Sequence, residues 1–147
     1  MNMELFRGQK LIKKDGSEVK AEDALGGKKV IVLYCSAHWC GPCRRFTPVL
    51  ANAYKEAKEE GLAFEVVFVS LDETSSKMLS YMKESHGDWY GIRHEDDLAK
   101  KLKTQFEVDA IPKLIVLKED GNVITADGRH DVDAQGAAAF REWLAKA

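Results

Sequence analysis

The chain has 147 residues, of which 31% are charged and 45% are hydrophobic, and its formal net charge is -2. That balance is typical of a globular protein and argues against a disordered or fibrous chain. Because 22 basic residues are offset by 24 acidic ones, the charge gives no reason to expect nucleic acid or a membrane as a partner. The length fits one domain, which we predict to span residues 1–147.

The N-terminal residues and the cysteines bear on the cellular compartment. Residues 1–11 contain charges and lack the apolar stretch of a signal peptide, and no segment is apolar for long enough to cross a bilayer. We therefore expect a reducing compartment, the cytoplasm or the nucleus. In such a compartment a Cys-x-x-Cys pair is more often catalytic or metal-binding than part of a disulfide framework.

A hairpin and a short helix are the first predicted elements. Short apolar runs flank Asp15-Gly16, a pair that favours a tight turn, and a short helix follows as far as residue 24. These elements form an N-terminal unit within residues 1–27, ahead of a predicted core at residues 28–147.

A continuous apolar run at residues 30–35 predicts a strand that is buried on both faces. Residues 64–71 predict a second buried strand. Between them, apolar residues recur at the helical period over residues 42–60. A helix that connects two buried strands implies a parallel pair with a right-handed crossover.

The remaining elements complete an α/β pattern. A helix ending near residue 84 is predicted to begin at Asp72 or Thr74, since both residue types cap helices. Further helices are predicted at residues 95–106 and 133–146, and a second hairpin lies between them. We therefore predict a mixed central β-sheet with helices on both faces and an N-terminal hairpin extension.

The residues that carry chemistry are the consecutive Trp39, Cys40, Gly41, Pro42 and Cys43. They follow a buried strand and open a long helix, where free backbone N–H groups and the helix dipole favour an anion. Because the thiolate is the attacking species in disulfide exchange, Cys40 is the predicted nucleophile. Cys43, one turn further along, would then attack Cys40 and release the product. Pro42 suits the first turn because it lacks an N–H group that would have no partner there.

Metal binding is the alternative for these cysteines. With Cys35 the spacing is Cys-x4-Cys-x2-Cys, which opens a plant-type iron–sulfur site, and His38 could complete a zinc set. The sequence has no fourth cysteine, and Cys35 lies within a predicted buried strand. We therefore expect no metal and no bound cofactor. Cys35 is predicted to be a core residue, with a regulatory third thiol as the alternative.

Three segments carry a resemblance to a known family. They are residues 36–48 (SAHWCGPCRRFTP), 64–73 (FEVVFVSLDE) and 106–114 (FEVDAIPKL). Together they resemble the tryparedoxin and nucleoredoxin branch of the thioredoxin superfamily. The resemblance implies a thioredoxin-like fold and a thiol–disulfide oxidoreductase that reduces disulfide-containing proteins. The implied upstream reductant is thioredoxin reductase, glutathione or trypanothione, and we expect a monomer.

The resemblance also implies roles around the two cysteines. Pro112 would be cis and pack beside the sulfurs, and Ile111 would present its backbone to an extended substrate segment. Trp39 would face the substrate, with a packing role as the alternative. Lys113 stands where threonine is usual, and its charge could stabilise a thiolate, select acidic partners or simply be solvated.

The chain departs from this branch at one position of the motif. Gly41 stands where the branch has proline, which makes the Gly-Pro pair similar to thioredoxin. The buried aspartate of thioredoxin would fall near Tyr34 or Cys35, so a carboxylate proton relay is not expected.

Two other functions stay open: a disulfide oxidase or isomerase, and an adaptor that holds a partner according to its redox state.

Overall fold

The structure is a computed structural model that describes residues 4–147. Its strands are β1 (Lys10–Ile12), β2 (Glu18–Lys20), β3 (Val30–Ser36), β4 (Phe64–Ser70), β5 (Tyr90–Gly91), β6 (Lys113–Lys118) and β7 (Val123–Thr125). Its helices are α1 (Ala21–Leu25), α2 (Gly41–Glu59), α3 (Ser75–Ser85), α4 (Asp97–Gln105), α5 (Gly128–Gln135) and α6 (Ala138–Ala145), and a 3-10 turn lies at Glu4–Phe6. The first three residues of the predicted N-terminal unit lie outside the described residues.

The strands of residues 4–147 form one sheet in the order β2-β1-β5-β4-β3-β6-β7. The central strands β3 and β4 are parallel, and Ser36 at the end of β3 lies opposite Ser70 at the end of β4. Strand β6 runs antiparallel to β3 on its other side. The predicted α/β fold with a mixed sheet and an N-terminal hairpin is therefore confirmed.

Alternate side chains of β3 enter two hydrophobic clusters on opposite faces of the sheet. Val32 and Tyr34 pack in the cluster that contains residues of α2, α3 and α6. Leu33 and Cys35 pack in the cluster that contains residues of α1 and α4. Because side chains two positions apart share a face, Ser36 lies on the same face as Tyr34. Both faces are covered by helices, which explains the continuous apolar sequence of β3.

The N-terminal hairpin joins the sheet through a strand that the sequence did not indicate. Its turn is held by the carboxylate of Asp15, which accepts the Ser17 backbone N–H at 2.8 Å, and Gly16 has a φ of 88°. Strand β1 pairs with β5 at Ile12 opposite Gly91. With only two residues, β5 is too short to leave an alternating pattern in the sequence.

Two predictions about helices were wrong in detail. The helix predicted at residues 133–146 is divided into α5 and α6, because Gly136 has a φ of 57° that a continuing helix does not allow. Asp72 is not the N-cap of α3. Thr74 is the cap, and its hydroxyl accepts the Lys77 backbone N–H at 3.1 Å.

Within residues 4–147, no helix has the length and apolar composition needed to span a bilayer.

Candidate active site

Cys40 is the N-cap of α2 and follows the short loop after β3. Its sulfur accepts the backbone N–H of Cys43 at a Sγ–N distance of 3.3 Å. That N–H is one of the groups that the start of a helix leaves without a helical partner. The sulfur of Cys40 therefore lies at the positive end of the α2 dipole.

The two thiols of the motif have different surroundings. All three cysteines are free, and Cys40 retains an exposed fraction of 7% whereas Cys43 is fully buried. Burial raises the pKa of Cys43 to about 11, and its hydrogen bond with Cys40 adds to this rise. Hydrogen bonds from the Ser36 side chain and the Ala37 backbone oppose the rise. Of these two residues, Cys40 is therefore the more accessible to another molecule.

The loop before β6 brings a second element to the sulfur of Cys40. The peptide bond between Ile111 and Pro112 is cis, as the resemblance implies. The Cys40 thiol faces the Ile111 carbonyl at an Sγ–O distance of 3.8 Å. Pro112 is buried and Lys113 is partly buried. The structure thus brings the Ile111 carbonyl next to the Cys40 sulfur, and the substrate-binding role of Ile111 stays a prediction.

Hydrogen bonds to the end of β4 hold the loop that contains Trp39. The Trp39 side chain is 58% exposed, and its indole N–H donates to the Leu71 carbonyl at 2.9 Å. The Asp72 carboxylate accepts the His38 backbone N–H at 2.8 Å and the Ser70 hydroxyl at 2.7 Å. Asp72 therefore fixes the loop before Cys40, the role it has in place of capping α3.

A cleft of about 290 Å³ opens beside Trp39. Its lining includes the carboxylates of Glu73 and Glu84 and the amine of Lys77. His38 Nε2 lies 3.1 Å from a carboxylate oxygen of Glu84. The exposed indole of Trp39 is thus part of the lining of a recess that carries charges of both signs.

A buried hydroxyl cluster that sequence patterns did not indicate lies next to Cys43. Its members are Tyr34, Ser36, Thr47 and Tyr81, none of them more than 1% exposed. Thr47 Oγ1 lies 2.6 Å from the hydroxyl oxygens of both Tyr34 and Tyr81, and Ser36 Oγ lies 2.8 Å from the Tyr81 hydroxyl. The one sequence signal for it is that thioredoxin's buried aspartate would fall near Tyr34.

Cys35 is a core residue, as predicted. It packs against residues of α1 and α4, whereas α2 covers the opposite face of the sheet. Burial raises its pKa to about 12, although the charges of Lys103 and Lys113 oppose the rise. Among residues 4–147, no three His, Cys, Asp or Glu side chains are grouped so that they could hold a metal ion. The metal alternative therefore finds no ligand set in this part of the chain.

Known proteins share both the fold and much of the sequence. A family model described as thioredoxin-like matches residues 27–123, and the chain belongs to that family. A solved thioredoxin structure from Wuchereria bancrofti is 50% identical, with a TM-score of 0.81 over 94% of this chain and 95% of that one. A tryparedoxin structure from Trypanosoma brucei is 34% identical, with a TM-score of 0.77 over 91% and 90%.

Nucleoredoxins are similar over most of this chain. Probable nucleoredoxin 1 from Arabidopsis thaliana is 39% identical over 127 residues, which are 86% of this chain and 21% of that protein. The chain thus spans about a fifth of the length of that relative. The resemblance to tryparedoxins and nucleoredoxins is confirmed, and the family implies an oxidoreductase.

Proposed function

We propose that this protein reduces protein disulfides by dithiol exchange, with Cys40 as the nucleophile and Cys43 as the resolving thiol. The observation that carries the proposal is the contrast between the two sulfurs. Cys40 is partly accessible and accepts an N–H at the start of α2, whereas Cys43 is fully buried with a pKa raised to about 11. Family membership supports the same chemistry.

The reaction consists of two exchanges. The Cys40 thiolate attacks one sulfur of the substrate disulfide, and the other sulfur leaves with the electron pair and takes up a proton. Cys43 then attacks the Cys40 sulfur of the mixed disulfide, which releases the second substrate thiol. An upstream thiol reductant supplies two electrons and two protons to restore the reduced pair.

The proposed substrate-binding residues surround the sulfur of Cys40. Trp39 offers an exposed aromatic surface. A substrate strand beside the Ile111 carbonyl would come close to Cys40, because that carbonyl is 3.8 Å from the sulfur. The charge of Lys113 favours acidic substrate segments. The residues proposed to support the site are Gly41, Pro42 and Pro112.

The upstream reductant is one of the three classes named above: thioredoxin reductase, glutathione or trypanothione. A tryparedoxin II structure with a TM-score of 0.77 contains glutathionylspermidine. That complex supports a small thiol as one class of partner for this fold. A monomer in the cytoplasm or the nucleus stays a prediction.

Cysteine substitutions test the two roles. Cys40→Ser is expected to abolish insulin reduction because it removes the nucleophile. Cys43→Ser is expected to abolish turnover while it traps mixed disulfides with the substrate, because the second exchange is blocked. Cys35→Ala is the matched control and is expected to retain activity, since Cys35 packs on the opposite face of the sheet. Turbidity of reduced insulin and mass spectrometry of the trapped species provide the measurements.

The alternatives give different results in the same experiments. Insulin reduction by the Cys40→Ser protein would contradict the assignment of the nucleophile. Partner capture that survives the loss of both cysteines would favour the adaptor function. Faster oxidation of a reduced substrate than reduction of an oxidised one would favour the oxidase.

A further inference from the structure

Both polar groups of the Cys43 backbone are held by other residues. Its N–H donates to the Cys40 sulfur at an N–Sγ distance of 3.3 Å, and its carbonyl accepts the Thr47 hydroxyl at 2.8 Å. In the second exchange of the proposed reaction, the Cys43 thiol attacks that same Cys40 sulfur. A shift of the Cys43 backbone would therefore move the attacking sulfur relative to its target.

The backbone hydrogen bonds of α2 are interrupted directly after its first turn. Pro48 lies inside α2. Because proline has no N–H, the Arg44 carbonyl does not receive the hydrogen bond that residue 48 gives in an uninterrupted helix. The turn that carries the two cysteines is therefore joined to the rest of α2 by fewer backbone bonds. The Thr47 hydroxyl adds a side-chain bond to this turn, at the carbonyl of Cys43.

Two phenols from other elements fix the Thr47 hydroxyl in place. A threonine inside a helix can donate to the carbonyl four residues earlier, and because a carbonyl only accepts, the one hydroxyl proton of Thr47 goes to Cys43. Tyr34 from β3 and Tyr81 from α3 lie 2.6 Å from Thr47 Oγ1, so both donate to its lone pairs. These three side chains are at most 1% exposed. The sheet and α3 thus fix the hydroxyl that holds the Cys43 carbonyl.

We propose that Thr47 is a positioning residue for the second exchange: its hydroxyl holds the Cys43 backbone so that the resolving thiol reaches the Cys40 sulfur. The inference rests on the proposed function, because the second exchange is a step of that reaction. In this step the Cys40–Cys43 bond forms while the bond between Cys40 and the partner sulfur breaks. The partner sulfur leaves with the electron pair and takes up the proton that Cys43 gives up.

The test separates the two exchanges with the probe 5,5′-dithiobis(2-nitrobenzoate), added in equimolar amount to the reduced full chain in a stopped-flow instrument. Attack by Cys40 releases one thionitrobenzoate, and attack by Cys43 on the mixed disulfide releases a second one. Thr47→Val keeps the branched shape of the side chain and removes the hydroxyl. It is expected to leave the first phase unchanged and to slow the second phase about tenfold, because small misplacements of reacting groups cost large factors in rate.

Two further variants are the matched controls. Thr47→Ser retains the hydroxyl and is expected to keep the second phase within about twofold of the wild-type rate. Tyr34→Phe removes one buried hydrogen bond from the same cluster but spares the bond between Thr47 and the Cys43 carbonyl. It is expected to lower the free energy of unfolding and to leave the second phase unchanged. A role in core stability alone would not separate Tyr34→Phe from Thr47→Val in this way.

The outcomes distinguish this inference from the proposed function. A wild-type rate for the second phase of Thr47→Val would overturn the role of Thr47, while its first phase would still report exchange at Cys40. The role is equally overturned if Thr47→Ser or Tyr34→Phe slows the second phase as much as Thr47→Val does. A wild-type protein that releases no thionitrobenzoate would instead contradict the proposed function.

A second comparison applies if Thr47→Val does not fold because two buried phenols lose their acceptor. The double variant Tyr34→Phe/Tyr81→Phe removes both phenols and retains the Thr47 hydroxyl, and Thr47→Val is then added to it. Replacing all partners of a hydrogen bond by apolar groups costs little stability. A slower second phase in the triple variant than in the double variant supports the inference, and equal rates overturn it.

Discussion

The three cysteines of this chain differ through their surroundings alone. Cys40 is at the start of α2 with a backbone N–H on its sulfur, while burial raises the pKa of Cys43 to about 11 and that of Cys35 to about 12. Because its pKa is raised to about 12, Cys35 stays protonated at neutral pH. It therefore lacks the thiolate, which is the reactive form of a cysteine. The Cys-x-x-Cys spacing is visible in the sequence, but the order of reactivity depends on burial that only the packed chain defines.

His86 has a buried ring in the hydrophobic interior. Its Nδ1 accepts the indole N–H of Trp89 at 3.0 Å, and its Nε2 has no hydrogen-bond partner among the described residues. Burial, together with the charge of Lys14, lowers the pKa of His86 to about 3 from its ordinary 6.5. The folded state therefore keeps the ring neutral at a pH where the unfolded chain would bind a proton.

We expect this histidine to make the fold sensitive to acid. Its contribution to stability is complete above pH 6.5 and is lost as the pH falls toward 3, at up to about 1.4 kcal/mol per pH unit. In His86→Gln, the glutamine can still accept the indole N–H of Trp89 but does not bind a proton. The substitution should therefore remove the contribution of His86 to the pH dependence of the free energy of unfolding. Urea unfolding of both proteins across this pH range provides the measurement. The same pH dependence in both would contradict the prediction.

At the scale of elements, long hydrophobic patterns in the sequence predicted helices and strands correctly, whereas short or interrupted patterns did not. Strand β3 was predicted because its first six residues are continuously apolar, and β4 because most of its seven residues are apolar. Helix α2 was predicted because its apolar period persists over several turns. Strand β5 exists through its pairing with β1 and β4, which no local pattern encodes. The break between α5 and α6 depends on the conformation of Gly136, and a glycine by itself does not reveal whether a helix ends there.

Two glycines at helix ends should respond in opposite ways to substitution by alanine. Gly41 begins α2, and a Cβ there would meet Arg45 Nη1 at an ordinary 3.6 Å. Gly136 has a φ of 57°, so a side chain there is strained. Gly41→Ala is expected to raise the free energy of unfolding by about 0.4–1 kcal/mol, and Gly136→Ala to lower it by about 1–3 kcal/mol. Urea titration measures both, and changes of the same sign would contradict the argument.

At the scale of the whole molecule, the topology assembles the candidate site from distant segments. The ends of the parallel strands β3 and β4 meet the start of the antiparallel β6, so Cys40, the Trp39 loop and the cis-Pro112 lie together. The motif and the resemblance could predict these residues. The hydroxyl cluster could not be predicted, because Ser36, Thr47 and Tyr81 come from three elements and meet only through packing between the sheet, α2 and α3.

The reduction potential of the Cys40–Cys43 pair, measured by equilibration in glutathione buffers, tests the central claim most directly. We predict a value between about -200 and about -270 mV, the range from glutaredoxins to thioredoxin. A value near about -120 mV would identify an oxidant. That value, or a pair that does not exchange with glutathione, would contradict the assignment of a disulfide reductase.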